Sequence, residues 1–408
     1  MRRTAGLATI GLCALITSTG IAGAAERPSI SRSVAESVTT ETVGAIEEVS
    51  GGILGGLVGQ RRLELHYPGA EYVKVHFSRV LLFPGDTVTV SDAARREVHT
   101  YTESGWAMSV TGDTAIVETQ SRSGLLGSLS GLGSGLGVTV DQVARGFTAR
   151  ERAARPVGAA RPVGAARPVG AARPLGAAGA GREESICGRF DEKADVACYR
   201  STNPTVYERS RAVARLLING VELCTAWRVG PRNRMLTNNH CFNDTYDAER
   251  TEVWFNYECA KCGSWDVQRT TKVWGDRVLA NDATLDFTLF TVDDFDEIER
   301  FGYLELDDRA PVSGEELYIT QHPRGEPKSI AMDDPGEATG KCAVANPAFD
   351  GYGVDTDLSY YCDTDGGSSG SPVLSAKTHR VIGLHHFGGC PNSGVRIDRI
   401  APEIAFLL

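Results

Sequence analysis

The chain has 408 residues, 41% of them hydrophobic, so it can bury more than one core and its length suggests two or three domains. Its net charge of −10 is divided unevenly: residues 1–182 carry 19 Lys and Arg against 15 Asp and Glu, whereas residues 183–408 carry 23 against 37. The acidic second part argues against a nucleic-acid partner and would only mildly favour basic substrates, and no stretch beyond the N-terminus is long and apolar enough to cross a bilayer.

In chain order, Arg2 and Arg3 precede an apolar run from Leu7 to Ile16 and the small residues Ala22-Gly23-Ala24-Ala25. That arrangement predicts a secretory signal peptide over 1–25, because the apolar run is too short to span a membrane. Residues 26–60 mix serine, glutamate and glycine without a sustained period and are expected to hold little structure. From 61 to 120, short alternating runs such as Tyr72-Val73-Lys74-Val75-His76-Phe77 and Asp86-Thr87-Val88-Thr89-Val90 are separated by turn signals, Pro84-Gly85 among them. This predicts a small antiparallel β-sandwich, either a pro-domain or a module contacting a surface or carbohydrate.

A Gly/Ser/Leu tract and four copies of Ala-Ala-Arg-Pro-Val/Leu-Gly between Ala153 and Gly176 follow. Proline every sixth residue blocks helix and central strand, so 121–182 is expected to be an extended linker between independently folded parts. A stacked β-helix would need arginine and proline in its core. Nine of the ten cysteines lie beyond residue 186, which agrees with an exported domain over 183–408 stapled by disulfides. Cys259-Ala260-Lys261-Cys262 is a single CxxC with no second ligand pair at suitable spacing, so neither a metal nor another cofactor is expected.

Three segments in this last part carry chemistry. Met235-Leu236-Thr237-Asn238-Asn239-His240-Cys241 is a short apolar strand ending in a histidine. In Ala283-Thr284-Leu285-Asp286-Phe287-Thr288-Leu289-Phe290, an acid interrupts an apolar run, where burial is costly unless its charge is met. Gly367-Ser368-Ser369-Gly370-Ser371-Pro372-Val373-Leu374 reads as a nucleophile loop and its supporting strand, the glycine letting successive N–H groups of Gly367 and Ser369 converge on an oxyanion. A serine hydroxyl needs a base of suitable pKa, and the base needs a group that fixes its tautomer. His240, Asp286 and Ser369 supply the three, in an order that differs from subtilisin-like enzymes and from α/β-hydrolase esterases. His322, His379, His385 and His386 lie in polar or turn-rich surroundings where no role is required.

On these motifs, residues from about 186 to 408 resemble trypsin-like serine proteases, and among them the bacterial lysyl and glutamyl endopeptidases. The Leu-Thr-x-x-His-Cys, Asp-Phe-Thr-Leu and Gly-Ser-Ser-Gly-Ser-Pro segments are similar to those of the lysyl enzymes, and Val381-Ile382-Gly383-Leu384-His385 with Gly388-Gly389 resembles the glutamyl group. The resemblance implies an all-β, chymotrypsin-like double barrel with a C-terminal helix, and a secreted, monomeric endopeptidase made as a precursor that acts on proteins or peptides. The competing reading is an inactive protease fold used as a binding module. The resemblance also implies pairs Cys187–Cys390, Cys198 with Cys259 or Cys262, and Cys224–Cys241, leaving Cys342–Cys362 as a local choice.

For the substrate pocket two chemistries compete. Asp363, six residues before Ser369, occupies by counting the place of the acid that binds Arg or Lys side chains in trypsin-like enzymes. Thr364 with His385 resembles the pair that holds an acidic side chain in glutamyl endopeptidases. Ser368 stands where animal zymogens carry an aspartate that pairs with a newly freed N-terminus, so activation is expected to depend on removing a blocking segment, with a cut near Arg182-Glu183.

Overall fold

The computed structural model describes residues 40–55, 61–120, 137–154, 185–264 and 266–408. The expected signal peptide over 1–25, the 121–136 tract, nearly all of the hexapeptide repeats and the expected cut near Arg182-Glu183 lie outside the described residues.

The front part is a two-sheet sandwich. One sheet orders Gly44–Gly55, Gly137–Gly146, Tyr72–Leu81 and Gly105–Trp106, with Val110–Thr111 also pairing with Tyr72–Leu81; the other orders Arg62–His66, Thr114–Gln120, Thr87–Asp92 and Val98–Tyr101. Val73, Val75, Phe77, Val138 and Val140 of the first sheet pack with Val88, Val90 and Val117 of the second, and burying each such side chain contributes about 1.5–3 kcal/mol.

The sandwich is larger than 61–120. Strand Gly44–Gly55 falls in the segment expected to lack structure, and strand Gly137–Gly146 falls in the expected linker. Neither carries a clean period of two. The register of Gly137–Gly146 shifts between Val140 and Gln142 against both neighbours, so Val138 and Val140 are followed by an extra residue before Val143. Glycines and the adjacent Glu47 and Glu48 obscure the other strand.

Six strands, Val213–Ile218, Glu222–Arg228, Met235–Thr237, Phe287–Val292, Thr271–Asp282 and Thr251–Phe255, close into a barrel because Glu222–Arg228 pairs with both Val213–Ile218 and Met235–Thr237. A second curved sheet runs from Ser329–Ala331 through Leu317–Gln321, Pro372–Ser375, Val381–Phe387, Asn392–Arg396 and Asp357–Tyr360 to Val344–Phe349, and bridges Glu316–Ala343 and Asp333–Lys341 bring its two sides together. Between the barrels lie Trp227, Leu236, Phe287, Leu374 and Leu384. The C-terminal helix Ile397–Ile404 seals this seam with Ile397, Ile400 and Ile404, spaced three and four apart on one face. The fold is the chymotrypsin-like double barrel, preceded by a β-rich region.

Disulfides join Cys187–Cys390, Cys198–Cys262, Cys224–Cys241 and Cys342–Cys362, which leaves Cys259 as a buried thiol. The front sandwich packs against the first barrel through buried polar contacts. Lys74 inserts a buried ammonium 2.6 Å from Glu252 of the first barrel, Ser109 donates to both Glu252 oxygens, and the Tyr72 hydroxyl donates to the Gly220 carbonyl. Arg215 lies with its guanidinium 4.4 Å from the Trp254 ring and 5.7 Å from Tyr72. A buried pair of this kind is costly to break, so it ties the sandwich to one docked position.

Candidate active site

Each of the three candidate side chains, His240, Asp286 and Ser369, arrives by a different route to the seam between barrels. Strand Met235–Thr237 ends in a turn that presents His240, and the Cys224–Cys241 disulfide anchors the next residue to the neighbouring strand. Asp286 lies on a turn just ahead of strand Phe287–Val292, at φ +42°, a left-handed conformation that aspartate tolerates better than most residues. Asn238 donates to the Asp286 carbonyl at 2.9 Å and so fixes that turn against the histidine segment.

Ser369 sits in a loop that only glycine permits. Gly367 has φ +93°, and a Cβ there would stand 2.4 Å from Leu223 Cδ2; on Gly370, at φ +87°, it would stand 2.0 Å from the Thr225 carbonyl oxygen. Thr225 clasps the loop by donating its hydroxyl to Gly367 O at 2.9 Å and its N–H to Ser369 O at 2.8 Å. From the other barrel, His385 O accepts from Gly370 N and His385 N donates to Ser371 O, both at 2.9 Å. Ser368 is buried, its hydroxyl donating to Gln321 Oε1 at 2.5 Å.

The three groups meet. His240 Nδ1 donates to Asp286 Oδ2 at 2.8 Å, the His240 backbone N–H donates to Asp286 Oδ1 at 2.9 Å, and His240 Nε2 accepts from the Ser369 hydroxyl at 2.9 Å. The carboxylate accepts only, so it sets the proton on Nδ1 and leaves Nε2 free to take one. Burial opposes the charge on Asp286, but pairing with His240 and His386 outweighs it and holds the carboxyl well below its usual range.

The pocket candidates fare differently. Asp363 does not present a free carboxylate: Oδ1 accepts from Cys187 N and Oδ2 from Glu192 N, both at 2.7 Å, so the acid organises the segment that enters the barrels. Position counting missed this because the partners lie more than 170 residues upstream. Thr364 Oγ1 accepts from Ser185 N at 3.2 Å. His385 is buried, shares a 2.7 Å hydrogen bond between Nδ1 and the Tyr360 hydroxyl, and is pushed down to about 3 by burial and by the charge of His386, which keeps it neutral.

One residue set aside in the sequence belongs to the site. His386 Nδ1 lies 3.0 Å from Asp286 Oδ2 and Nε2 lies 2.6 Å from Asp357 Oδ2. The only sequence signal was its place beside His385, at the end of a strand leading back to the nucleophile loop. Cys224, His240 and Cys241 are the one group of potential metal ligands among the described residues, and both sulfurs are spent in a disulfide.

Residues 224–384 match the family model of the trypsin-like peptidase domain. A secreted RxLR effector protein of Plasmopara viticola is 35% identical over 234 residues, which cover 55% of this chain and 56% of that protein. An uncharacterized protein, y4fB, of Sinorhizobium fredii is 31% identical over 198 residues, covering 44% of this chain and 28% of its own length. The chain therefore spans about half of the first relative and less of the second. Among solved structures, a Glu endopeptidase aligns over 54% of this chain and 98% of its own, with 18% identity and a TM-score of 0.40. The HtrA-type protease AlgW with a tripeptide aligns over 50% of this chain and 62% of its own, with 16% identity and a TM-score of 0.38.

Proposed function

We propose that the trypsin-like peptidase domain of this chain is an active, secreted serine endopeptidase. The observation that carries the reading is the unbroken hydrogen-bond series from Ser369 through His240 to Asp286. Ser369 Oγ attacks the scissile carbonyl carbon while His240 Nε2 takes its proton. The tetrahedral oxyanion is held by the N–H groups of Gly367 and Ser369, and the C–N bond breaks as His240 returns the proton to the leaving amine. Water then hydrolyses the acyl-enzyme by the same proton route. Asp286 keeps the imidazole in the required tautomer and stabilises its charged form.

Export is supported by the N-terminal apolar run and by four disulfides. Among the described residues no helix is long and apolar enough to cross a membrane. The precursor reading rests on strand Glu41–Thr42, which adds antiparallel to Glu222 and Leu223 on the open edge of the strand that clasps the nucleophile loop. Its Glu41 carboxylate lies against Gly366, where a Cβ would come within 2.6 Å of Oε2. A segment so placed obstructs a peptide approaching Ser369, and removing the front part by a cut near Arg182-Glu183 opens the cleft. The cleaved form should hydrolyse peptides faster than the intact chain; equal rates would end the precursor reading.

For the residue before the cut, the engaged Asp363 favours the acidic preference, with Thr364 and His385 as its contacts, over a basic one. Cleavage of a randomised peptide library by the processed protein, with Ser369→Ala as control, tests activity and preference together. Cuts after Glu or Asp that vanish in the variant are expected. Cuts after Lys or Arg would return the pocket to a basic reading, and no Ser369-dependent cut would favour an inactive binding module.

A further inference from the structure

The base of the site is a five-membered buried chain, not a triad resting on backbone. Beyond Asp286 it continues through His386 to Asp357, and all three side chains are at most 1% exposed. Asp286 Oδ2 faces two imidazoles, His240 Nδ1 at 2.8 Å and His386 Nδ1 at 3.0 Å. Asp357 is itself anchored: Ser393 Oγ donates to its Oδ2 at 2.8 Å and Thr356 Oγ1 to its Oδ1 at 2.9 Å. Gly351 passes so close that a Cβ there would stand 2.1 Å from Asp357 Oδ1, which closes that side to water.

The proton count follows from the partners. Both ring nitrogens of His386 lie within hydrogen-bond reach of carboxylate oxygens, which accept and do not donate, so both nitrogens must carry hydrogen. A neutral imidazole would leave one nitrogen lone pair facing a buried carboxylate. Around the ring, among the described residues, stand Asp286, Asp357, the neutral His385, His240 beyond Asp286, the Tyr352 ring edge-on at 5.9 Å and Phe387 stacked at 3.7 Å. Burial opposes the cation, but the two carboxylates outweigh it and push His386 up to about 9.

We propose that His386 is a positioning residue: an imidazolium clamped between Asp286 and Asp357 that fixes the orientation of the Asp286 carboxylate and restrains the basicity of His240. The inference rests on the serine-protease reading for its effect on rate, but not for its geometry. Asp286 has three donors on two oxygens, so it cannot rotate away from His240 without breaking a charge-assisted bond. The cation on its far side shares its charge, so His240 meets a partly neutralised carboxylate and releases its proton to the leaving amine more readily.

Two measurements test this, the first on the full-length protein and the second on its processed form. In ¹⁵N histidine spectra of the wild type and of Ser369→Ala at pH 7, both His386 nitrogens should show imidazolium shifts and hold them until the pH approaches 9. In the processed enzyme, His386→Gln keeps a donor toward Asp286 but removes the charge, and the acid limb of kcat/KM should move up by about one to two pH units while KM changes little. Asp357→Asn, which leaves the histidine in place, should lower the His386 titration midpoint and give a smaller shift of the same sign. A singly protonated His386 at pH 7, or an acid limb unmoved in both variants, would overturn the proposal. Hydrolysis that survives Ser369→Ala would instead defeat the functional reading and leave the spectroscopic result standing.

Discussion

Two buried carboxylates, Glu252 and Asp286, are at first sight alike: each is at most 1% exposed, and each faces two groups able to carry positive charge. Around Glu252 the donors close on themselves. Lys74 and Ser109 N serve Oε1, Ser109 Oγ and Trp254 Nε1 serve Oε2, and Lys272 adds charge from beside them. Among the described residues, none of these contacts leads on to Ser369 or His240. Around Asp286 the series is open at one end, passing through His240 to a hydroxyl in the cleft. A closed charge cluster holds two parts of a fold together; an open one can move a proton.

The largest expected effect breaks the open end. Ser369→Ala should lower peptide turnover by about 10⁴- to 10⁶-fold with an unchanged circular dichroism spectrum and melting temperature. The closed cluster should respond in the opposite manner. Glu252→Gln leaves the Lys74 ammonium buried without its partner and should cost about 3–5 kcal/mol in urea unfolding of the intact chain. If that variant unfolds like the wild type, the distinction between the clusters fails.

The pH dependence sharpens the contrast. Burial works against ionised Glu252, but Lys74 and Lys272 outweigh it and bring its pKa from 4.5 down to about 2. The folded value lies below the unfolded one, so this contribution to stability is full above about pH 4.5 and is lost as the pH falls toward 2. His386 has the reverse sign: its folded value, about 9, lies above 6.5, so its contribution is full below pH 6.5 and lost as the pH rises through 9. Thermal melting against pH should decline on both flanks, and Glu252→Gln should flatten the acid flank alone.

Smaller effects follow in the loop and the core. Gly367→Ala must move Leu223 and abandon φ +93°, which should reduce kcat by about 10²-fold through a displaced oxyanion donor, read by steady-state kinetics. Cys259 is buried, and burial together with Asp195 pushes its thiol up to about 12, so in the native protein Cys259 should resist alkylation by iodoacetamide, and on unfolding it should react.

The open cluster was largely legible in the sequence and the closed one was not. His240, Asp286 and Ser369 each sit in a short segment whose own residues state a requirement: a strand ending before a cysteine, an acid in an apolar run, a serine between glycines with positive φ. Glu252 is met by a lysine 178 residues away, and His386 by acids 100 and 29 residues away, so only the folded chain reveals either. The same limit misled the reading of Asp363, whose place in the count matched a pocket acid while its amide partners lay far upstream. In the front sandwich the signal for strand Gly137–Gly146 was local, but the bulge at Asp141 erased the alternation that would have shown it.

The most direct test of the central claim is to treat the processed protein with a fluorophosphonate and map the adduct by peptide mass spectrometry. A single adduct on Ser369 that His240→Ala abolishes is the expected result. An adduct elsewhere, or none on a folded and processed sample, would contradict a serine activated by the histidine and carboxylate beneath it.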